Sequence, residues 1–211
     1  MGRYTGPVCK LCRREGQKLF LKATKCYTEK CPVERRNYAP GQHGLTQARR
    51  KKTSEYSTQL REKQKVRRIY GVSERYFKRL FERAAQQGGV TGENLLVGLE
   101  SRLDNVVYRM GFAASRKAAR QLIRHRHVQV NGQTLDVPSY RLRPQDEIQV
   151  APVSKDLLSV RASLEALSRA APVSWIAVNS EQAAGKLTEL PTRDTIPIIA
   201  QEQLIVELYS K

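Results

Sequence analysis

The sequence predicts an α+β protein, and three observations carry that reading. Four cysteines fall close together near the N-terminus at the spacing of a metal knuckle. Helical periodicity with a heavily cationic composition runs through the stretch that follows. From Leu99 to Val150, two short amphipathic helices lead into a strand and a tight turn, a small α/β module. The expected architecture is therefore an N-terminal four-cysteine metal knuckle and a basic helical lobe, followed by a small α/β domain.

The 211 residues suffice for one large domain or two small ones, and a hydrophobic fraction of 40% supports a core. A mean hydropathy of −0.56 with 27% charged residues suits a chain that lives in water. Thirty-eight Lys and Arg against 20 Asp and Glu give a formal charge of +18, which favours a polyanionic partner, either nucleic acid or an anionic membrane. That charge is unevenly placed: residues 1–68 carry a net +14, residues 69–150 a net +5 and residues 151–211 a net −1. The polyanion is expected to meet the first third and the α/β module, and to miss the last third. No stretch approaches the length of an apolar span, and the N-terminus has charges and cysteines where a signal peptide needs an apolar run. A cytoplasmic location is expected, where thiols stay reduced and clustered cysteines point to metal rather than disulfides.

The cysteines read Cys9-x2-Cys12, then 13 residues, then Cys26-x4-Cys31. Two close pairs joined by a loop supply four sulfurs to a tetrahedral site, each pair from one tight turn. Lys10, Arg13, Arg14, Lys25 and Lys30 surround them and would offset the negative charge of a tetrathiolate centre. Zn2+ is the expected ion, with a 4Fe-4S cluster as the alternative that sequence cannot separate from it. Four thiolates leave no open position for water, so the site is structural and no catalysis is expected there. Residues 1–45 hold too few large aliphatics to fold alone, which makes the metal a substitute for a core.

The segment from Glu34 to Gly44 contains Pro40-Gly41, a turn signal, and two glycines flanking Gln42-His43. It reads either as an exposed loop or as a loop laid on phosphates, with Tyr38 or His43 stacking on a base. Residues 48–70 read as one long basic helix ending at Gly71, with a sparse apolar stripe of Tyr56, Leu60, Val66, Ile69 and Tyr70. Arg49, Arg50, Lys51, Lys52, Arg61, Lys63, Lys65, Arg67 and Arg68 crowd the rest of it, and phosphate contact explains them better than solvation. Ser73 caps a second helix to about Gln87, with Phe77, Leu80, Phe81 and Ala84 on its core face. Gly88 to Gly92 reads as a loop or hinge between two lobes.

In the module, Leu99, Leu103, Val106, Val107 and Met110 form one buried helical face that ends at Gly111. Ser115 caps the next helix, whose Ala119, Leu122 and Ile123 face the core. On it Arg116, Arg120 and Arg124 fall at i, i+4 and i+8 with Lys117 beside them, an exposed cationic row. Val128 and Val130 alternate with Gln129, and Asn131-Gly132 is a hairpin signal. Tyr140–Leu142 and Ile148–Val150 are further strand candidates, with a turn over residues 144–147. His125 and His127 lack companions for a second metal site, and a hydrogen-bonding or phosphate-facing role suits them better. The last third is chemically quiet: an amphipathic helix from Ser154 to about Arg169, strands at Trp175–Val178 and Lys186–Leu190, and a segment from Gln203 to Tyr209 that is helix or strand by periodicity alone.

Leu103 to Val150, with Ser115-Arg116-Lys117-x2-Arg120-Gln121-Leu122-Ile123-Arg124 and Val128-x-Val130-Asn131-Gly132 at its centre, resembles the S-four RNA-binding domain. Gly6-Pro7-x-Cys9-Lys10-Leu11-Cys12-Arg13-Arg14-Glu15-Gly16, Pro40-Gly41-Gln42-His43-Gly44 and residues 60–71 resemble the bacterial ribosomal small-subunit protein four family in its four-cysteine form, and the similarity covers nearly the whole chain. The resemblance implies a structural, non-enzymatic protein of the small ribosomal subunit that binds its rRNA at a multi-helix junction early in assembly. It also implies neighbours in small-subunit proteins five and three, a position where mRNA enters, and an influence on decoding accuracy. It resolves the segment from Gln201 to Tyr209 as a helix returning to the helical lobe. The implied organisation is a metal-binding arm at 1–45, an rRNA-binding lobe at 46–92 joined by a helix at about 200–210, an S-four-type domain at 99–165, and strands packed on it at 166–199. The implied RNA-binding set is Arg3, Tyr4, Arg13, Arg14, Arg35, Arg36, Gln42, His43, the nine cations from Arg49 to Arg68 named above, Arg116, Lys117, Arg120, Arg124, His127 and Asn131. Relatives often have glycine where this chain has Arg126, so a left-handed backbone there would set the side chain against the turn.

Two rival readings are weaker. An S-four-domain enzyme needs a catalytic domain, and about 60 residues remain once the knuckle, lobe and module are subtracted. A zinc-dependent DNA regulator concentrates base-reading side chains on one helix and usually dimerises, whereas these cations spread over several segments, as backbone and shape recognition of folded RNA requires.

Overall fold

In the computed structural model, residues 4–46, 54–167 and 173–210 are described. The chain divides into two compact units, one formed by Met1–Gly92 with Ile198–Lys211 and the other by Glu93–Pro197.

The first unit begins with a short helix, α1 (Cys9–Glu15), closed by Gly16 in the left-handed conformation, then a 3-10 turn at Ala23–Tyr27 and a one-turn helix α2 (Pro32–Arg35). Helix α3 spans Glu55–Tyr70. Ser54 is extended and its hydroxyl accepts from the Ser57 N–H, which caps this helix; residues 48–53 of the expected helix lie outside the described residues. Gly71 closes it, with its N–H donating back to Arg67 and Arg68. Ser73 caps α4 (Glu74–Gln86), which buries Phe77, Leu80 and Ala84 at helical spacing. The C-terminal segment forms helix α9 (Glu202–Tyr209) and packs along α3 within this unit. Tyr209 stacks on Phe81 at 4.6 Å, and Gln59, fully enclosed, donates to Glu207 at 3.0 Å. Tyr56, expected on the apolar stripe, is instead exposed, because the buried face of α3 runs through Gln59, Lys65, Val66, Ile69 and Tyr70.

The second unit is an antiparallel five-stranded sheet with helices. The expected single helix through Leu99 and Met110 is two, α5 (Thr91–Glu100) and α6 (Leu103–Arg109). The break has a cause: Arg102 is extended and pairs with Arg141, Ser101 offers its carbonyl to Leu142, and the N–H groups of Leu103 and Asp104 donate to Tyr140 and Pro138. The same contacts explain why Tyr140–Leu142 is a single bridge and not a strand. Helix α5 begins at Thr91, so the preceding loop is residues 87–90 and Thr91 and Gly92 belong to the helix.

Helix α7 (Arg116–Arg124) is capped by Ser115, whose hydroxyl accepts from the Ala118 N–H. Strands β1 (Val128–Val130), β2 (Gln133–Thr134), β3 (Glu147–Val150), β4 (Ile176–Asn179) and β5 (Ala184–Leu187) pair in the order β2-β1-β3-β5-β4. The β1–β2 hairpin turns through Asn131 and Gly132, both at positive φ (50° and 78°), as a two-residue turn of this kind requires. One sheet face meets α6 and α7 around Val106, Val107, Met110, Ile123, Ile148 and Trp175. Gly185 fits because a Cβ there would lie 2.8 Å from the Ala177 carbonyl oxygen and 3.1 Å from Met110. Helix α8 covers Leu158–Leu167 and begins later than the expected Ser154, after a 3-10 turn at Pro152–Ser154; the expected end near Arg169 lies outside the described residues.

Candidate nucleic-acid interface

The four cysteines line one small cavity with Val8, Leu21 and Pro32. Cys12, Cys26 and Cys31 are buried and all four are free thiols. Helix α1 presents Cys9 and Cys12 one turn apart, and the 3-10 turn and the start of α2 deliver Cys26 and Cys31. Burial pushes the Cys12 thiol up to about 11 and raises that of Cys26, against backbone N–H donation from Leu19 and Lys22 to the two sulfurs. Among the described residues, no three or more His, Cys, Asp or Glu side chains stand in a geometry that holds an ion. The sulfurs thus converge on a common space without forming a coordination sphere.

The adjacent loop is organised by Arg13. Its Nε donates to the carbonyls of Tyr38 (3.0 Å) and Arg36 (3.2 Å), Nη2 donates to Ala39 (3.4 Å), and the guanidinium sits 4.6 Å from the centre of the Tyr38 ring. Gly44 closes the loop so tightly that a Cβ would stand 1.9 Å from the Ala39 carbonyl oxygen. Arg35, at the end of α2, and Arg36, Gln42 and His43 in the loop after it are exposed, and Arg14 on α1 is half-buried. Tyr4 is exposed and donates to the Pro7 carbonyl. Arg3, Arg49, Arg50, Lys51 and Lys52 lie outside the described residues.

Helix α3 differs from a free cationic rod. Arg61 and Arg68 both reach Glu15, whose side chain is only 3% exposed. Lys63 meets Glu74 at 2.6 Å, Arg67 meets the same carboxylate at 3.5 Å, and Lys65 meets Glu62 at 2.6 Å. Burial raises the Glu15 carboxyl while Arg68 and Arg61 pull it back, and burial lowers Arg68. Five of the nine cations expected to grip phosphates are therefore engaged inside the unit, and the other four lie outside the described residues. Sequence showed only one of these partners plainly, Glu62 at i, i+3 from Lys65; the others come from different elements.

On the second unit, α7 presents Lys117 and Arg124 to solvent, with Arg116 and Arg120 half-buried. Arg116 Nε donates to Asn105 Oδ1 at 2.7 Å, and its guanidinium lies 4.6 Å from the Tyr108 ring centre. Asn105, itself buried, donates to the backbone carbonyl and the carboxylate of Glu100, and Arg109 clasps that carboxylate with two bonds at 2.7 and 3.1 Å. A second buried pair, Arg102 and Asp104, is bidentate at 2.7 and 3.0 Å, and Arg120 approaches Asp104 at 3.5 Å. Bidentate pairs fix geometry as well as charge, so two of the expected RNA-facing arginines are oriented from beneath. Glu100, Asp104 and Asn105 were missed in the sequence because they sit within an apolar-periodic stretch. His127 is hydrogen-bonded to Ser154 at 2.8 Å. Asn131 is committed to the hairpin, donating to Asp146 and accepting from the Glu147 N–H, both at 2.9 Å.

Arg126 has φ +65°. It follows the α7 cap residue His125, its N–H donates to Ile123, and the next N–H, of His127, donates to Leu122, which is the left-handed helix closure normally given to glycine.

Comparison with known proteins gives a consistent result. Residues 3–100 match the family model described as ribosomal protein S4/S9 N-terminal domain, and residues 101–148 match the S4 domain. The small ribosomal subunit protein uS4 of Thermus thermophilus is 56% identical over 211 residues, covering all of both chains. The protein of that name from Thermodesulfovibrio yellowstonii is 57% identical over 212 residues, again covering all of both, and that from Thermoanaerobacter sp. is 55% identical over 211.

Proposed function

The chain belongs to the ribosomal protein S4 family, and from that premise we propose that it is a structural, non-enzymatic component of the small ribosomal subunit that binds rRNA. The observation that carries this is the full-length match to small-subunit relatives by a chain of net charge +18. Arg116, anchored by Asn105 and Tyr108, is suited to the backbone of a folded RNA, since its side chain is ordered before any partner arrives. Phosphate contacts of this kind recognise shape and position more than base sequence. None of the helices described is long and apolar enough to cross a membrane.

Several finer readings belong to the same proposal. The RNA site is a multi-helix junction, bound early in assembly, and the neighbours are small-subunit proteins five and three near the path where mRNA enters, with an effect on decoding accuracy. The arm holds Zn2+ through Cys9, Cys12, Cys26 and Cys31, with a 4Fe-4S cluster as the competing occupant. What supports this is the chemistry of the donors and not their geometry, which forms no coordination sphere: four free thiols line one cavity, backbone N–H groups point at two sulfurs, and Lys18, Lys22 and Lys25 line the same space. The metal would supply cross-linking of two chain segments in a unit with a thin core, not reactivity.

A filter-binding competition tests the function. The chain is expected to prefer a structured small-subunit rRNA fragment to duplex DNA of equal length, with affinity that falls steeply with salt. Equal preference for the DNA would refute it. Elemental analysis of the purified protein decides the metal: about one zinc per chain supports the reading, iron with acid-labile sulfide supports the alternative, and neither overturns both.

A further inference from the structure

We propose that the outer face of α4, carrying Arg75, Lys78, Arg79 and Arg83, is a second contact surface for the ribose–phosphate backbone of rRNA, a proposal that rests on the rRNA-binding function above. The sequence directs attention to α3 because its cations are more numerous. The fold redistributes that charge. Glu15, Glu62 and Glu74 engage Arg61, Lys63, Lys65, Arg67 and Arg68, so every described cation of α3 already has a carboxylate partner inside the unit.

Helix α4 is built the other way. Phe77, Leu80 and Ala84 are buried on one side, and Arg75, Lys78, Arg79 and Arg83 are exposed on the other. None of these four has an ion pair or hydrogen-bond partner among the described residues. The acid that opens the helix, Glu74, is turned to Lys63, Arg67 and the Tyr209 hydroxyl, so Glu82 is the remaining carboxylate on the helix. Arg75, Arg79 and Arg83 succeed one another every four residues, about 6 Å apart along the axis. A row of guanidinium forks at that interval can follow successive phosphates of one strand.

An acidic protein partner is the other occupant such a face could take. Protein interfaces concentrate aromatic and aliphatic anchors at their centre and place charge at the rim. This face has no such anchor: Phe81 stacks on Tyr209, and the other exposed positions of the helix are Glu82, Ala85 and Gln86. The chemistry favours RNA.

The test uses the full chain and a small-subunit rRNA fragment. Replacing Arg75, Arg79 and Arg83 together with Gln is expected to flatten the slope of log K against log salt by about 2 to 3 units, with an unchanged melting temperature because no internal bond is lost. The Arg75→Lys, Arg79→Lys, Arg83→Lys variant is expected to restore the slope. Gln59→Ala, on α3, which cuts the enclosed bond to Glu207, is expected to do the reverse, lowering the melting temperature and leaving the slope alone. A wild-type slope in the Gln triple variant overturns the proposal, and if that variant also fails to enter assembled subunits, a protein neighbour occupies the face instead. Wild-type chain that does not prefer rRNA to duplex DNA would instead undo the function on which the proposal stands.

Discussion

Replacing Arg126 with glycine should make this protein more stable while removing a cation from its surface. Arg126 holds a left-handed backbone at φ +65° because the α7 closure requires it. That conformation costs a side-chain-bearing residue roughly 1–2 kcal/mol. Glycine removes the cost but adds about 0.4–1 kcal/mol of unfolded-state entropy. The ion pair with Asp136 is 3.6 Å long between side chains 74% and 46% exposed, and its loss falls at the low end of the exposed-pair range, about 0.2 kcal/mol. The balance is a gain of about 0.5 kcal/mol, which for a chain of this size raises the melting temperature by roughly 1–2 °C. Arg126→Ala is the control: it loses the same charge and pair but stays in the strained region. Calorimetry or far-UV melts of the three proteins should order them Gly, then wild type, then Ala, with Gly and Ala about 1 kcal/mol apart. Equal melting temperatures for Gly and Ala would show that the backbone at this position carries no strain.

Three further outcomes are expected. Burial pushes the Glu74 carboxyl up, but Lys63, the Tyr209 hydroxyl and Arg67 outweigh it and leave it below the ordinary value of 4.5. Its contribution is therefore present above that value and lost as pH falls through the lowered one, so acid melts of wild type should decline faster than those of Glu74→Gln. Gly44→Ala should destabilise the loop by about 1–3 kcal/mol, since the new methyl meets the Ala39 carbonyl; hydrogen exchange should rise across residues 36–46 and stay unchanged in β1–β5. Chelation should strip exchange protection from residues 8–35 and leave the second unit protected; an arm equally protected with and without chelator would refute a metal-built arm.

Much of the fold was legible because the relevant forces are local. Ser73 and Ser115 cap the helices the sequence assigns to them, Gly71 closes α3, and Asn131-Gly132 makes the turn. What escaped was decided by tertiary contact. The α5–α6 break exists because Ser101 and Arg102 pair with Leu142 and Arg141, far along the chain. Of the candidate site, the cysteines share a cavity as their spacing suggests, yet the cations could not be sorted by sequence. Charge counts do not reveal that Arg61 and Arg68 share Glu15, or that Asn105, hidden among valines, holds Arg116.

The placement of α9 sets an order on the life of the chain. Gln59, Glu62 and Glu74, all in the first unit, find partners in residues 201–209, which follow the whole second unit in sequence. During synthesis the second unit, continuous from Glu93 to Pro197, emerges with every one of its own elements present. The first unit begins earlier and finishes later. Until α9 arrives, the ring of Phe81 and the amide of Gln59 lack their covers, so the vectorial rule that N-terminal domains mature first is reversed here. A nascent chain halted after the second unit would expose a half-built basic lobe, ready for RNA in charge but not yet in shape.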